Sequence, residues 1–461
     1  MSPEGDDDKR CWTRRQFLRG TTAAFAALGT AASACHSARC NQPGAEPNHG
    51  EGESVDDSSP DSSPADNPTD LDEIRAEFDV DPQLVHMAGM LLATHPRRVR
   101  EAIETYRRGL DDNPTEYLYQ NWARSTAQLD DDGEQRAMAA AARYLETTPS
   151  NIALTDSTTE GLATVYHGID IRPDQEVVTG HWNHWATEGS LRYAAQKTGF
   201  EIRRVPMYDE LPDVTEDELV DRLVDELSPQ TRVVAVTWVH SISGLKLPIG
   251  AIGQRIEEIN RGRASADRIL FCVDGVHGFG VEDAVMADFH CDFFIAGCHK
   301  WLFGPRGTGI IAASSDAWPQ ATPTVPSFSM QTTQGRRFTP GGFKTYEHIW
   351  ALDEAFEFHL DIGKDRVEQH IHDLAGRLVD ELDEMGHVHL RTPRRPSLRS
   401  GIVTFRIDGH GPYQIVDHLR AHDIVASVTP EDHPVARLSP GLLNDDTDIE
   451  QTLDALTALR T

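Results

Sequence analysis

Cysteine is scarce in this sequence, and its spacing fits neither a metal ribbon nor a disulfide scaffold. Six cysteines occur in 461 residues, and none form a CxxC pair. Zinc ribbons and small disulfide-stapled domains are therefore excluded. Positive charge is also scarce, because 43 Lys and Arg stand against 74 Asp and Glu, for a formal net charge of -31. Such a surface repels nucleic-acid phosphates, so we expect a soluble enzyme or binder without a nucleic-acid partner.

The apolar stretch near the N-terminus is too short to be a stable membrane anchor. It reads "GTTAAFAALGTAASAC" and follows "TRRQFLR", which contains the pair Arg14 and Arg15. The arginine pair, the apolar stretch and the small residues before Cys35 occur in the order of a twin-arginine export signal. We therefore predict a signal peptide over residues 1–35, recognition by the twin-arginine export machinery, and a periplasmic or extracellular location.

Other interpretations of this segment stay open. Cys35 could be the lipid-modified cysteine of a lipoprotein, which would tether the protein to a membrane. The arginine pair could also be a chance feature of a disordered tail. Residues 36–70 are rich in Pro, Gly, Ser, Asp and Glu. Such a composition cannot build a core, so it predicts a disordered acidic linker.

From about residue 71 the chain alternates helical and strand-like segments. The apolar runs "EVVTG", "TRVVAVTWV", "RILFCVDG", "DFFIAG" and "GTGIIAAS" are separated in places by helical stretches such as "TEGLATVYHGI". This alternation predicts an α/β fold with a mostly parallel sheet between helices, over residues 71–330. A long helical stretch and four strand-like runs follow, which predict a smaller α+β domain over residues 331–461.

Three chemically active side chains follow successive predicted strands. Asp274 ends the strand in "RILFCVDGVHGFG", and His277 comes three residues later. Lys300 follows the next strand in "FFIAGCHKWLFGPRGTGII", although lysine is rarely buried without a partner. Ligands in parallel sheets bind beyond the carboxyl ends of the strands. Pyridoxal phosphate needs a lysine for its Schiff base and a carboxylate at its ring nitrogen, whereas Asp274 read alone could be a turn residue.

The string "DGVHGFG", followed by "CDFFIAGCHKWLFGPRGTG", resembles the class V aminotransferase family of fold type I pyridoxal phosphate enzymes. Within that family, "HKWLFGPRGTG" most resembles the isopenicillin N epimerase-like branch. The resemblance implies a fold type I transferase with a large cofactor-binding domain and a small C-terminal domain. It also implies a homodimer, pyridoxal 5'-phosphate as cofactor, and an amino acid or amine as substrate.

The resemblance also assigns roles to individual residues around the cofactor. Lys300 would be the catalytic residue that forms the Schiff base, and Asp274 would face the ring nitrogen. His277 would bind the phenolic oxygen of the cofactor, and His299 would lie near its phosphate. Gly297 stands where the family often has a serine, which puts one side-chain contact to the phosphate in doubt.

The stretch "LTDSTTEGLATV" resembles the phosphate-binding turn of the family. Thr158 and Thr159 would then bind the phosphate at a helix N-terminus, where amides and hydroxyls form an anion site. Read alone, the stretch could be an ordinary helix cap. In "HWNHWATEGSL", His184 would stack on the cofactor face, according to the resemblance. A metal pair with His181 is the alternative, but no third ligand is evident, and we predict no metal.

Arg437, in "ARLSPGLLNDD", would bind the substrate carboxylate, a task that suits a planar guanidinium. A surface salt bridge is the alternative. Ser241 replaces a frequent asparagine of the family. Gly342 replaces a threonine in the stretch that reaches the phosphate across the dimer, so a contact there would come from its backbone N–H.

Several functions remain compatible with this site. Cysteine desulfurases carry a catalytic cysteine shortly before the carboxylate-binding arginine, and "DIVASVTPEDHPVAR" contains none. An aminotransferase or an epimerase is therefore the main prediction. A C–S lyase of the same family and a non-catalytic binding lipoprotein on the same fold are the alternatives.

Overall fold

The computed structural model describes residues 70–122, 132–328, 334–430 and 434–459, all of which belong to one compact unit, Asp66–Thr461. The predicted signal peptide, Cys35 and nearly all of the predicted linker lie outside the described residues. Among the helices of the described part, none is both long and apolar enough to cross a membrane.

The described strands, in chain order, are β1 (Val85–His86), β2 (Ile152–Thr155), β3 (Glu176–Gly180), β4 (Glu201–Val205), β5 (Thr231–Thr237), β6 (Leu270–Asp274), β7 (Phe293–Gly297), β8 (Gly309–Ala313), β9 (Val388–Leu390), β10 (Val403–Ile407), β11 (Ile424–Val425), β12 (Ser427–Val428) and β13 (Ala436–Leu438).

The described helices are α1 (Leu71–Ala76), α2 (Arg97–Asp112), α3 (Pro114–Gln120), α4 (Gly133–Tyr144), α5 (Thr158–Gly168), α6 (Trp185–Thr198), α7 (Glu216–Val224), α8 (Ile249–Asn260), α9 (Met286–Phe289), α10 (Tyr346–Trp350), α11 (Leu352–Ile362), α12 (Lys364–Glu384), α13 (Pro412–Arg420) and α14 (Asp446–Thr457).

The central sheet has seven strands in the order β2-β8-β7-β6-β5-β3-β4. Neighbouring strands from β7 to β4 pair in parallel, whereas β8 is antiparallel to both β7 and β2. The predicted mostly parallel sheet is therefore confirmed. The five apolar runs of the sequence form β3, β5, β6, β7 and β8, and the flanking strands β2 and β4 were not predicted.

The core lies on both faces of this sheet, because successive residues of a strand point to opposite sides. In β5, Val233 and Ala235 pack into one apolar cluster, and Val234 and Val236 pack into another. All four side chains are buried. A strand covered on both faces needs apolar residues at every position, which explains its continuous run in the sequence.

The C-terminal part contains a four-stranded antiparallel sheet in the order β12-β13-β10-β9. The predicted long helical stretch forms α10, α11 and α12. Gly363 lies between the last two with a φ of 96°, a region that favours glycine. β1 pairs in parallel with β11, so a segment near residue 85 joins a strand near residue 424. The domain boundary at residue 331 stays a prediction.

The carboxyl ends of β5, β6 and β7 bring the chemically active residues together. Thr237 at the end of β5 pairs in register with Asp274 at the end of β6, and Asp274 pairs with Ile295 of β7. The loops that leave these ends carry His277 and Lys300. The fold therefore places them at the edge of the sheet where ligands bind in parallel α/β proteins.

Candidate active site

Lys300 and His277 are in direct contact. The Nζ atom of Lys300 lies 3.3 Å from Nε2 of His277. Burial lowers the pKa of Lys300 to about 8, although the charge of Asp274 acts in the opposite direction. Burial also holds the pKa of His277 well below its usual range, and the charge of Lys300 adds to this effect. The pair therefore combines a neutral imidazole with an amine that loses its proton near physiological pH.

The second ring nitrogen of His277 is buried without a protein partner. Its Nδ1 atom has no hydrogen-bond partner in the described part of the chain. Leaving a buried polar atom unsatisfied is costly. Because the ring can donate or accept at this atom, depending on its tautomer, a polar ligand atom would fit there.

Asp274 is a buried carboxylate, 1% exposed, at the end of β6. Its Oδ2 accepts a hydrogen bond from Thr187 Oγ1, and its Oδ1 accepts one from the Val276 backbone N–H, both at 3.3 Å. Burial raises the pKa of Asp274 to about 6, and these two bonds and the Lys300 charge limit the rise. Among the described residues no Lys or Arg forms a salt bridge with it, so a cationic ligand atom would be stabilised at this position.

Thr187 is a site residue that the sequence analysis missed. It lies in the first turn of α6 and is fully buried. The sequence did contain a clue to Thr187, because it lies in "HWATEGS", three residues after His184. Residues three apart lie on the same face of a helix.

His184 caps α6 and belongs to the same site. Its Nδ1 accepts a hydrogen bond of 3.3 Å from the Ala186 backbone N–H. Burial lowers the pKa of His184 to about 4, and the charges of Lys300 and Arg437 lower it further. The ring is therefore neutral and lies close to both cations. This suits the predicted stacking role, which stays a prediction.

The absence of a metal at His181 and His184 stays a prediction. The described residues contain one group of three side chains whose potential metal-ligand atoms lie close together. It consists of Glu282, Glu368 and His372. Neither His181 nor His184 belongs to it. Lys246 Nζ already lies 2.6 Å from Oε2 of Glu282, so this group is part of an ionic network.

The start of α5 and the end of β7 form a cradle around Gly297. A Cβ atom on Gly297 would lie 2.9 Å from Thr158 Oγ1 and 3.0 Å from His299 Cε1. Such contacts are too short, so no side chain fits without a shift. The departure from the family serine has a physical reason here, because Thr158 and His299 fill the space that a serine would need.

The same cradle has the features of an anion site. Ser157 caps α5 through a 3.2 Å bond from the Glu160 backbone N–H to its Oγ, and Thr159 is exposed at the helix start. The positive end of the helix dipole attracts a phosphate there. His299 is half-buried, and its Nδ1 lies 3.4 Å from the Thr308 carbonyl oxygen. Thr158 and His299 therefore lie on either side of Gly297, and the phosphate-binding role of Thr158, Thr159 and His299 stays a prediction.

Arg437 is buried, 3% exposed, in β13. Its Nε donates to Ser427 Oγ at 3.0 Å, and Nη1 donates to the Ser241 carbonyl oxygen at 2.7 Å. Ser241 therefore contributes through its backbone. Because Arg437 also lowers the pKa of His184 and Lys300 by its charge, it lies near them. Its burial argues against a surface salt bridge.

The family of the chain follows from its sequence. A model of the family described as aminotransferase class V matches residues 93–434. The chain belongs to the class V aminotransferase family. This confirms the resemblance read from the His-Lys-Trp segment.

Two relatives within the class V aminotransferases differ in activity. Isopenicillin N epimerase of Streptomyces clavuligerus is 25% identical over 416 residues, which cover 85% of this chain and 98% of that protein. A probable cysteine desulfurase of Halalkalibacterium halodurans is 24% identical over 354 residues, which cover 74% of this chain and 82% of that protein. Similarity to both leaves the reaction open within the family.

Solved structures of similar proteins share the fold of this chain. A C-DES mutant with glycine covalently linked to its PLP cofactor aligns with a TM-score of 0.72 and 21% identity, covering 83% of this chain and 98% of that one. The apo cysteine desulfurase from Thermococcus onnurineus NA1 aligns with a TM-score of 0.72 and 19% identity, covering 84% and 97%. The predicted fold type I architecture is confirmed.

The described cysteines of this family member are poor nucleophiles. Cys272, Cys291 and Cys298 are buried, and burial raises the pKa of each thiol. The thiolate is the reactive form of cysteine. None of the three therefore fits the sulfur-accepting role of a desulfurase.

Proposed function

We propose that this chain acts on the α-carbon of an amino acid, with isomerisation or amino transfer as the outcome. The cofactor is pyridoxal phosphate, as predicted, which the family and the cofactor-bearing structural neighbour support. The residues fit it, because Asp274 is a buried carboxylate, His277 Nδ1 is a buried orphan, and a Cβ would fill the cradle at Gly297. The observation that carries the proposal is the convergence of Lys300, Asp274 and Arg437 at one edge of the sheet.

Each of these side chains has a defined task. When bound, pyridoxal phosphate withdraws electrons and so stabilises negative charge at the substrate α-carbon. Lys300, with a pKa lowered to about 8, can take up and return a proton at Nζ near neutral pH. Arg437 binds the substrate carboxylate and orients the α-carbon. Asp274 stabilises a cationic ring atom.

Deuterium incorporation tests this proposal. Purified holoenzyme is incubated in deuterated water with a panel of L- and D-amino acids. Deuterium at the α-carbon with inverted configuration identifies an epimerase, and keto-acid formation that needs an amino acceptor identifies a transaminase. A substrate that is consumed with its α-hydrogen retained contradicts the proposal. Arg437→Ala should weaken substrate use by about 2–5 kcal/mol, the cost of removing a buried charged partner.

A C–S lyase is the second candidate function, supported by the similarity to a cystine C–S lyase, which is 20% identical with a TM-score of 0.70. The desulfurase variant of this chemistry is disfavoured, because Asp423–Arg437 contains no cysteine. Cystine and cysteine separate the two cases. Release of persulfide or sulfide faster than with free cofactor, with pyruvate and ammonia as the other products, identifies a lyase, whereas alanine as the other product identifies a desulfurase.

We also propose that two chains form a homodimer. Phe343 and Phe328 are 78% and 56% exposed, and their ring centroids lie 6.1 Å apart. Gly342 directly precedes Phe343 in an open position, since no atom lies within 4 Å of an added Cβ. Exposed aromatic clusters favour protein–protein contact. Phe343→Asp should shift the protein toward a monomer in sedimentation experiments, and an unchanged mass would contradict this surface.

A further inference from the structure

A large cleft adjoins the candidate active site. Its volume is about 880 Å³, whereas pockets for small ligands measure roughly 300–1,000 Å³. Trp182 and Asn183 line it and directly precede His184. Ile242 also lines it and directly follows Ser241, whose carbonyl oxygen binds Arg437. The cleft therefore extends the site far beyond the space that the α-carboxylate of an amino acid requires.

One face of the C-terminal sheet presents arginines to this region. Arg437 of β13 pairs in register with Thr404 of β10. On the opposite edge of β10, the backbone N–H of Arg391 donates a hydrogen bond of 2.8 Å to the carbonyl oxygen of Thr404. Partners in register point to the same face. Arg406 lies two residues beyond Thr404, so its side chain points to that face as well.

The spacing of the strands sets the distance between these arginines. Arg437 and Arg391 lie two strands apart, which corresponds to roughly 10 Å between their backbones. The opposite face of the same strands carries Val403 and Phe405, which are buried in an apolar cluster. The polar face thus holds one buried arginine at the active site and two further arginines along the cleft.

The cleft arginines have no acidic partner in the described part of the chain. Arg391 lies over the ring of Trp182, 5.3 Å from its centroid, and Arg406 is exposed. Two acidic residues, Asp209 and Glu210, line the cleft. Asp209 forms a salt bridge of 2.5 Å with Arg222, so Glu210 is the one acidic lining residue whose charge is not balanced by a salt bridge in the described part of the chain. The cleft therefore has an excess of positive charge, although the whole chain carries -31.

The walls of the cleft also offer apolar and hydrogen-bonding surface. Trp182 and Ile242 supply apolar contact. Tyr208 also lines the cleft, and its hydroxyl is buried. A neutral phenol can donate to a carbonyl oxygen of a ligand. The lining thus suits a polar chain with an anionic end.

From this arrangement we infer that the substrate is an amino acid with a long side chain that ends in a carboxylate. Arg391 and Arg406 bind this distal carboxylate, while Arg437 binds the α-carboxylate. The side chain is longer than that of glutamate, because about two strand spacings separate the anchors. The inference rests on the proposed function, since it needs the α-carbon to be placed at Lys300.

The test compares ligands that share one amino acid centre and differ at the far end. The probes are alanine, glutamate, γ-glutamylglycine and the neutral γ-glutamylglycinamide. Each ligand is titrated into holoenzyme, and the absorbance of the bound cofactor is followed. The midpoint is the ligand concentration at which half of the absorbance change has occurred. We expect the midpoint for γ-glutamylglycine to be about tenfold lower than for its amide, as one charge-assisted hydrogen bond predicts. Salt should reduce this difference, because the arginines are partly exposed.

Variants identify the residues responsible. Arg406→Gln and Arg391→Gln should each reduce the preference for the carboxylate without changing the midpoint for alanine. Arg391→Lys keeps the charge and should keep most of the preference, which guards against a folding defect at Trp182. Arg420→Gln, an exposed change on α13, is the matched control and should behave like the native protein.

The outcomes separate the inference from the function on which it rests. Equal midpoints for γ-glutamylglycine and its amide overturn the inference but leave the proposed function intact. The same holds if the preference for the carboxylate survives in both Arg391→Gln and Arg406→Gln. If no ligand, alanine included, changes the cofactor spectrum, the proposed function fails and the inference falls with it.

Discussion

Thr187 Oγ1 donates a 3.3 Å hydrogen bond to Oδ2 of Asp274, and this bond connects the start of α6 to the end of β6. Both side chains are buried. Without donors, a carboxylate in such a place would be held neutral by desolvation. Here its pKa rises only to about 6, so Asp274 is largely ionised at pH 7. Thr187 is therefore a positioning residue that favours the charged form of Asp274, together with the Val276 backbone N–H and the charge of Lys300.

Thr187→Val should weaken cofactor binding by about tenfold or more, since a hydrogen bond to a charged group contributes about 1.5–3 kcal/mol. The loss should be largest at low pH, because the pKa of Asp274 rises further and a neutral acid cannot stabilise a ring cation. Titration of apoprotein with cofactor between pH 6 and 9 measures this. Thr187→Ser should restore binding, and a pH-independent loss in Thr187→Val would indicate a packing defect instead.

Attachment of the cofactor to apoprotein should accelerate as the pH rises through about 8. The free amine is the nucleophile, and burial lowers the pKa of Lys300 to about 8. Asp274→Asn should move the inflection to lower pH, because the charge of Asp274 raises the pKa of Lys300. Stopped-flow absorbance follows the rate. An inflection near 10.5, the value of an ordinary lysine, would show that Lys300 is not desolvated.

Gly297→Ala should reduce cofactor affinity, because an extra group forced into a filled space costs about 1–3 kcal/mol of stability and displaces its neighbours. The added Cβ would push Thr158 and His299 away from the phosphate position. Gly189→Ala is the matched control, because no atom lies within 4 Å of its added Cβ. Equal affinities of the two variants would argue against the cradle.

We propose export by the twin-arginine route from the pair Arg14 and Arg15. If this is the route, changing both arginines to lysine should leave the precursor inside the cell. Cell fractionation with an antibody against the folded protein detects it. Normal export of the double variant would exclude this route. Radiolabelled fatty acid in the native protein, absent in Cys35→Ala, would identify the lipid anchor.

Patterns among residues close together in the sequence predicted those parts of the fold and of the site that are determined by neighbouring residues. Continuous apolar runs predicted β5, β6 and β7, and the residues that follow them placed Asp274, His277 and Lys300 at one edge. The edge strand β4 was not predicted, because "EIRRV" is polar and pairs on one side only.

Contacts between distant segments could not be read from the sequence. Thr187 meets Asp274 across 87 positions, and Arg437 meets the carbonyl oxygen of Ser241 across 196. Both contacts arise from the docking of a helix or a sheet, which no local pattern encodes. The reason for Gly297 was equally hidden, because Thr158 occupies the space only once α5 packs beside β7.

The covalent bond between Lys300 and the cofactor is the central claim, and reduction with borohydride tests it most directly. Purified holoprotein should be yellow, and borohydride should bleach it. Digestion and mass spectrometry should then place the reduced pyridoxyl phosphate group on Lys300, and Lys300→Ala should carry no label. A label on another lysine, or none in protein that has been loaded with cofactor, would contradict the account.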